Sequence, residues 1–139
     1  MSKVVEQVVQ ARLILSAQRS ALLRVTLHYR GEDPLAVRML FPAEYSLDAE
    51  TDGQEIEWVF ARHLLATGLD TPSGLGDVHI RPTRGHRTMI ELRAAEGIAL
   101  LQFEAAALRR FLWHSYVAVP EGNEHLYLDA DGALAQLFG

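Results

Sequence analysis

The sequence predicts an α+β fold: antiparallel sheets of about seven strands packed with two to three helices. Three observations predict it. Apolar and polar residues alternate over several stretches, turn residues recur at short intervals, and two apolar strands run directly into helical spacing. A chain of 139 residues with 49% hydrophobic and 22% charged residues is long enough and apolar enough to bury a core as one domain, residues 1–139.

Residues 4–16 open with a long strand in which Val9, Ala11, Leu13 and Leu15 share one face, although Val4, Val5, Val8 and Val9 also fit a helical spacing. After the turn Ser16–Ser20, Leu23, Val25, Leu27 and Tyr29 alternate with Arg24, Thr26, His28 and Arg30 as a half-buried strand. Gly31-Glu32-Asp33-Pro34 closes a hairpin, and Leu35–Phe41 forms the third strand. An acidic connection over 43–53 ends at the turn signal Asp52-Gly53.

The fourth strand sets Ile56, Trp58 and Phe60 on one face and Glu55 and Glu57 on the other. Ala61, Leu64 and Leu65 then share a helical face, in a helix so short that packing must hold it, with Gly68 as its C-terminal cap. Asp70–Gly74 reads as a turn. Residues 76–81 and Thr88–Leu92 read as the fifth and sixth strands, and Gly97–Phe103 as the seventh. The seventh is almost wholly apolar, which predicts a central place. It leads into a helix over 104–117 that buries Leu108, Phe111, Leu112 and Ser115 and ends before Pro120 and Gly122. Asp129 reads as the N-cap of a last short helix reaching Phe138. Strands followed by a helix thus occur twice, over 1–68 and 76–117.

Composition narrows the function classes. Without cysteine there are no disulfides, thiolate metal sites or cysteine nucleophiles. Glu6, Gln7 and Gln10 interrupt any signal-peptide core, and no apolar run has the length of a membrane span, so a cytoplasmic protein is expected. A net charge of −5 argues against a nucleic-acid binder. Twelve of the thirteen basic residues are Arg, which with the many Ala, Leu and Val points to a GC-rich genome rather than to a function.

Few residues stand at spacings that carry chemistry. Asp48, Glu50, Asp52 and Gly53 match the first half of a calcium loop, but its bidentate acid falls on Val59, so a solvated acidic turn is the plainer reading. His79, His86 and His125 lack the spacing of a helical zinc site. Gly74-Leu75-Gly76 is not a dinucleotide fingerprint, and no Walker sequence or nucleophile elbow is present. No catalytic residue, metal or cofactor is assigned, and the chain reads as a non-enzyme.

Two local anomalies are candidate partner-binding sites. His79–Arg87 crowds Arg81, Arg84 and Arg87 with two histidines onto one hairpin of an acidic chain. Arginine forks suit phosphate or an acidic partner, while a solvated turn, or pairing with the acidic 48–57 hairpin, is the plainer reading. Trp113 falls outside the apolar stripe of its helix beside Arg109, a pairing that suits an interface or the edge of the core.

Residues 55–81 carry a resemblance. Glu57-Trp58-Val59-Phe60-Ala61-Arg62, Leu64-Leu65, Gly68, Pro72 and Gly74-x-Gly76-Asp77-Val78 closely resemble the SsgA-like proteins of actinomycetes. Upstream Asp33-Pro34-x-Ala36-Val37 agrees. So do Phe111-Leu112, Val119-Pro120-x-Gly122-x-Glu124 and Asp129-x-Asp131 downstream, so that the likeness spans residues 12–138. Three departures leave the paralogue open: Glu121 stands where the family often has proline, Trp113-His114-Ser115-Tyr116 is unusually aromatic, and the first eight residues have no counterpart in the family.

The resemblance implies sporulation-specific cell division, with septa positioned or activated through FtsZ, other division proteins and family paralogues. It also implies a fold similar to the Whirly-type single-stranded nucleic-acid binders, a homotrimer, no enzymatic activity, and recruitment from the cytoplasm to the division septum. The same fold likeness, with the Arg81–Arg87 hairpin, supplies the alternative of a single-stranded nucleic-acid-binding module. Trp58, Phe60, Arg62, Leu64, Leu65, Gly68, Gly74 and Gly76 are then the structural signature: Trp58 and Phe60 anchor the sheet, Leu64 and Leu65 pack the helix, and the glycines turn the chain.

Overall fold

A computed structural model, which describes residues 3–42 and 55–127, shows one curled antiparallel sheet of eight strands. These are β1 (Val4–Ile14), β2 (Ser20–Arg30), β3 (Asp33–Phe41), β4 (Ile56–Ala61), β5 (Ser73–Leu75), β6 (Val78–Thr83), β7 (Arg87–Ala94) and β8 (Gly97–Glu104). Their order is β4-β3-β2-β1-β8-β7-β6-β5. Helix α1 (Arg62–Gly68) follows β4, α2 (Ala105–Ala118) follows β8, and a 3-10 helix spans Glu124–Tyr127. The Asp48–Gly53 turn and the helix expected over 129–138 lie outside the described residues.

The α+β reading holds, with eight strands in place of about seven. The strand missed is β5, which the sequence presents as part of a turn. Its three residues pair with β6 through Ser73–Ile80, Gly74–His79 and Leu75–Val78. So short a strand has no periodicity to read and exists only through its partner. The two-residue connection Gly76-Asp77 is possible because Gly76 takes a φ of +62°. The doubled strand-then-helix pattern is also present: four strands precede each helix. The two halves meet where Ala11–Leu13 of β1 pair with Leu101–Phe103 of β8, which makes the apolar β8 central, as its composition implies.

One face of every long strand is buried. Val9 and Ala11 of β1, Leu23, Val25, Leu27 and Tyr29 of β2, and Val37, Met39 and Phe41 of β3 point into the core. The start of β1 is strand, not helix: Val4 and Val8 are exposed and Val5 packs inward, the period-2 outcome. Helix α1 packs on β3, β4, β5 and β6, spanning the two ends of the curled sheet, and α2 packs on β1, β7 and β8. Gln7, on the inner face of β1, donates from Nε2 to the Ala107 carbonyl at 3.0 Å and ties α2 to the sheet. Trp58 and Phe60 pack inward from β4, and Leu64 and Leu65 are buried under α1.

Two glycines act differently from the turn and cap roles read in the sequence. Gly68 ends α1 without a left-handed φ, and the cap residue is Leu69, in right-handed helical geometry. What requires glycine is proximity, because a Cβ at Gly68 would collide with the side chain and carbonyl of Ile80 on β6. Gly74 lies within β5 under the ring of its cross-strand partner His79, where a Cβ would also collide. Of the three signature glycines, Gly76 alone turns the chain through a left-handed φ. We therefore expect Gly68→Ala to lower stability by about 1–3 kcal/mol, as overpacking does. Urea unfolding should show a lower midpoint with an unchanged slope, and an unshifted midpoint would remove this reading of Gly68.

Candidate functional site

The side chain that organises the helices is Arg62, the first residue of α1, only 2% exposed. Its Nη1 donates to the carbonyls of Ser115 at 3.1 Å and Val119 at 2.8 Å, and lies 3.4 Å from Ser115 Oγ. Those carbonyls lie at the end of α2, where the helix dipole favours a cation; the Ser115 carbonyl also accepts from Val119 N at 2.8 Å. Nη2 donates to Glu124 Oε1 at 2.7 Å. The guanidinium lies between two aromatic rings, its carbon 4.8 Å from the centroids of both Tyr29 and Tyr116. One cation thus joins α1, α2, β2 and the 3-10 helix.

The partners are fixed in turn. Tyr29 is fully buried and donates its hydroxyl to the Pro34 carbonyl at 2.9 Å. Burial is the main reason its phenol is pushed up to about 12, against the opposing field of Arg62. Burial likewise raises Tyr116. The hydrogen bond from Arg62 holds the Glu124 carboxyl below its ordinary value, helped by backbone donors, with Gly122 N on Oε2 at 2.9 Å. The sequence presents Arg62 only as a signature residue. Its burial was legible in part, because position 62 shares a helical face with Leu65 and Leu69, but its partners come from residues far along the chain.

The candidate contact residues fall into two groups. Arg81, Arg84 and Arg87 are exposed on the β6–β7 hairpin, whose tip is Arg84-Gly85-His86. His86 adopts φ +58°, and its carbonyl accepts from Ala105 N at 2.9 Å, holding the hairpin against the start of α2. Arg87 lies 3.4 Å from Glu104. Arg109 and Trp113 are four residues apart on the outer side of α2, and the structure does not bring them together with the hairpin arginines in one cluster. Arg109 is engaged within the chain, donating to Asp70 Oδ1 at 3.0 Å and reaching the Leu69 carbonyl at 3.4 Å. Trp113 is 62% exposed and edge-on to His114, with ring centroids 5.1 Å apart.

Beside Trp113, the exposed Val117 and Val4 flank an open groove of about 480 Å³ between the start of β1 and the end of α2. Among the described residues, no group of three His, Cys, Asp or Glu is placed to hold a metal, and no helix is long and apolar enough to cross a membrane.

Comparison with known proteins places this arrangement. The family described as Streptomyces sporulation and cell division protein SsgA matches residues 23–124, a stretch that includes Arg62, its aromatic neighbours and Glu124. The chain belongs to the SsgA family. The sporulation-specific cell division protein SsgB of Salinispora tropica is 38% identical over 136 residues, covering 96% of this chain and 92% of that protein. SsgB of Streptomyces coelicolor is 41% identical over 130 residues, covering 91% and 89%. The crystal structure of the SsgA-like sporulation-specific cell division protein of Thermobifida fusca superposes with a TM-score of 0.79 at 32% identity, covering 99% of this chain and 96% of that one. Within this chain Arg62 acts through packing, with its guanidinium as the centre of the contacts between helices and sheet.

Two outcomes follow from this geometry. Arg62→Ala should cost about 3–5 kcal/mol, because it empties a buried site, removes the donor to the Val119 carbonyl and breaks the ion pair with Glu124. Arg62→Lys should restore only part of this, since an ammonium lacks the planar fork. Denaturant midpoints of the two variants check both. The pH dependence has two limbs. The lowered Glu124 contributes stability present above its ordinary value of 4.5 and lost as pH falls through the folded value, so Glu124→Gln should flatten the acid limb. The raised Tyr29 contributes stability present below pH 10 and lost as pH rises towards about 12. Absorbance of tyrosinate at high pH, compared with Tyr29→Phe, should assign the last-titrating phenol to Tyr29.

Proposed function

We propose that this chain is a non-enzymatic adaptor of sporulation-specific cell division, which helps to position or activate septa through FtsZ and other division proteins. The observation that carries this reading is membership of the SsgA family, with relatives named for sporulation-specific cell division aligned along nine-tenths of the chain or more. In the same reading residues 1–139 form one SsgA-like domain that acts from the cytoplasm at the division septum. It assembles as a homotrimer and meets family paralogues as well as FtsZ.

The surfaces proposed for these contacts are the Arg81, Arg84 and Arg87 hairpin and the outer side of α2 with Arg109 and Trp113. The exposed Trp113 and Val117 support an interface on α2, since apolar side chains left in water beside Arg are typical of contact surfaces. A single-stranded nucleic-acid module has the cationic hairpin in its favour, but stacking proteins set aromatic side chains among their cations, and among the described residues the exposed Trp113 and Tyr127 are not on the hairpin, whose tip carries only the His86 ring.

A fluorescent fusion expressed in a sporulating actinomycete should concentrate at nascent septa, and affinity purification from that host should recover FtsZ. Trp113→Ala is expected to reduce that recovery without loss of the fold. Diffuse fluorescence throughout sporulation would overturn the reading. Light scattering should give a mass near three times 15.5 kDa, and a monomer at micromolar concentration would remove the trimer.

A further inference from the structure

We propose that the outward face of the sheet, at the junction of its two halves, docks an acidic peptide segment of a partner protein. Cross-strand pairing assembles the surface. Arg81 of β6 pairs with Met89 of β7, Met89 with Gln102 of β8, Gln102 with Arg12 of β1, and Arg12 with Leu22 of β2. Directly opposed residues share a face, so these five form one row across five strands. Arg81 and Arg12 stand three inter-strand steps apart, about 14 Å. Arg24 lies two residues beyond Leu22, and Arg87 two before Met89, so both add to the same face, with Arg84 at the adjoining tip.

All five arginines are exposed. Among the described residues Arg24, Arg81 and Arg84 have no ion-pair partner, Arg12 donates to Ser20 Oγ at 2.9 Å, and Arg87 has only Glu104, at 3.4 Å. The net charge of −5 conceals this. Six of the eighteen acidic residues, Glu44, Asp48, Glu50, Asp52, Asp129 and Asp131, fall in 43–54 and 128–139, where there is no Lys or Arg. The described residues therefore carry 12 acidic against 13 basic groups.

The row also has relief. Beyond Ala11–Phe103 the strands β1 and β8 part, leaving a cleft of about 100 Å³ lined by Gln10, Arg12, Leu22, Arg87, Gln102 and Glu104, among others. Amides of Gln10 and Gln102 can both donate and accept, which suits a peptide backbone, while the arginine forks suit carboxylates. Leu22, 52% exposed, and the half-buried Met89 offer apolar contact between the charges. The row has no aromatic side chain on which a base could stack, and Glu104 and Glu91 on the same face would repel a continuous phosphate backbone. Charge complementarity therefore selects a carboxylate-rich peptide with interspersed apolar residues.

This deepens the partner reading of the Arg81–Arg87 hairpin and rests on it. Its test uses the full chain and a short fluorescein-labelled peptide of glutamates interrupted by leucines, beside an oligothymidine of equal length, by fluorescence anisotropy at low and physiological salt. The peptide should bind in a salt-sensitive way. The double variant Arg12→Ala, Arg81→Ala should weaken it roughly tenfold or more, as loss of two charge-assisted contacts would. Arg110→Ala, on the exposed side of α2, should leave it unchanged. Circular dichroism of the variants checks that the fold persists. Absent peptide binding, equal binding by the double variant, or tighter binding of oligothymidine would each overturn the proposal. The assay contains no division protein, so its failure removes this surface and leaves septal localisation to its own experiment.

Discussion

The arrangement of the helices depends on one buried guanidinium. Helix α1 is seven residues long, too short to be stable by itself, and no side chain caps its N-terminus. Its position is defined by what its first residue reaches: the last carbonyls of α2, the carboxylate of Glu124 and two tyrosine faces. Arg62 supplies a donor to the Val119 carbonyl, adds a second to that of Ser115, and brings to the end of α2 the charge that the helix dipole favours.

Burying a cation is costly, and the pairing with Glu124 offsets that cost only because the other groups around the guanidinium also accept or face it. A hydrophobic residue of similar volume would fill the space but could not join three backbone or carboxylate acceptors from different elements. Tyr29 shows the same logic on the sheet side. Its ring faces Arg62 while its hydroxyl satisfies Pro34 at the β2–β3 hairpin. The polar network therefore sets the relation of helices to sheet, while the apolar inner face supplies the bulk of the burial.

With its inner face occupied by helices, the curled sheet turns its chemistry outward. The candidate contact groups lie on the convex strands, on a hairpin and on the solvent side of α2, where geometry is set by rigid elements but side chains are free to meet another molecule. An assembly of this kind suits recognition by surface complementarity. The close approach of α1 to β6, which leaves no room for a Cβ at Gly68, keeps the β6–β7 hairpin at a fixed distance from the helix layer.

Much of the fold was legible in the residues. Period-2 alternation located the long strands, the apolar run Gly97–Phe103 marked a central strand, and the spacing of Leu108, Phe111, Leu112 and Ser115 gave the buried side of α2. These signals are local, and local periodicity follows directly from backbone geometry. The short β5, the true role of Gly68 and the partners of Arg62 were not legible, because each depends on a residue distant along the chain: Ile80 for Ser73 and for Gly68, and Ser115, Val119 and Glu124 for Arg62. The surface shows the same division. The Arg81–Arg87 cluster stands out in sequence because its members are neighbours there. Arg12 and Arg24 join that face only through strand register. Local periodicity was enough to read the long strands, the two main helices, their buried faces and the family likeness. Which charges are buried together, and which share a surface, is set in three dimensions, because pairing across a sheet unites residues whose separation along the chain carries no information about their contact.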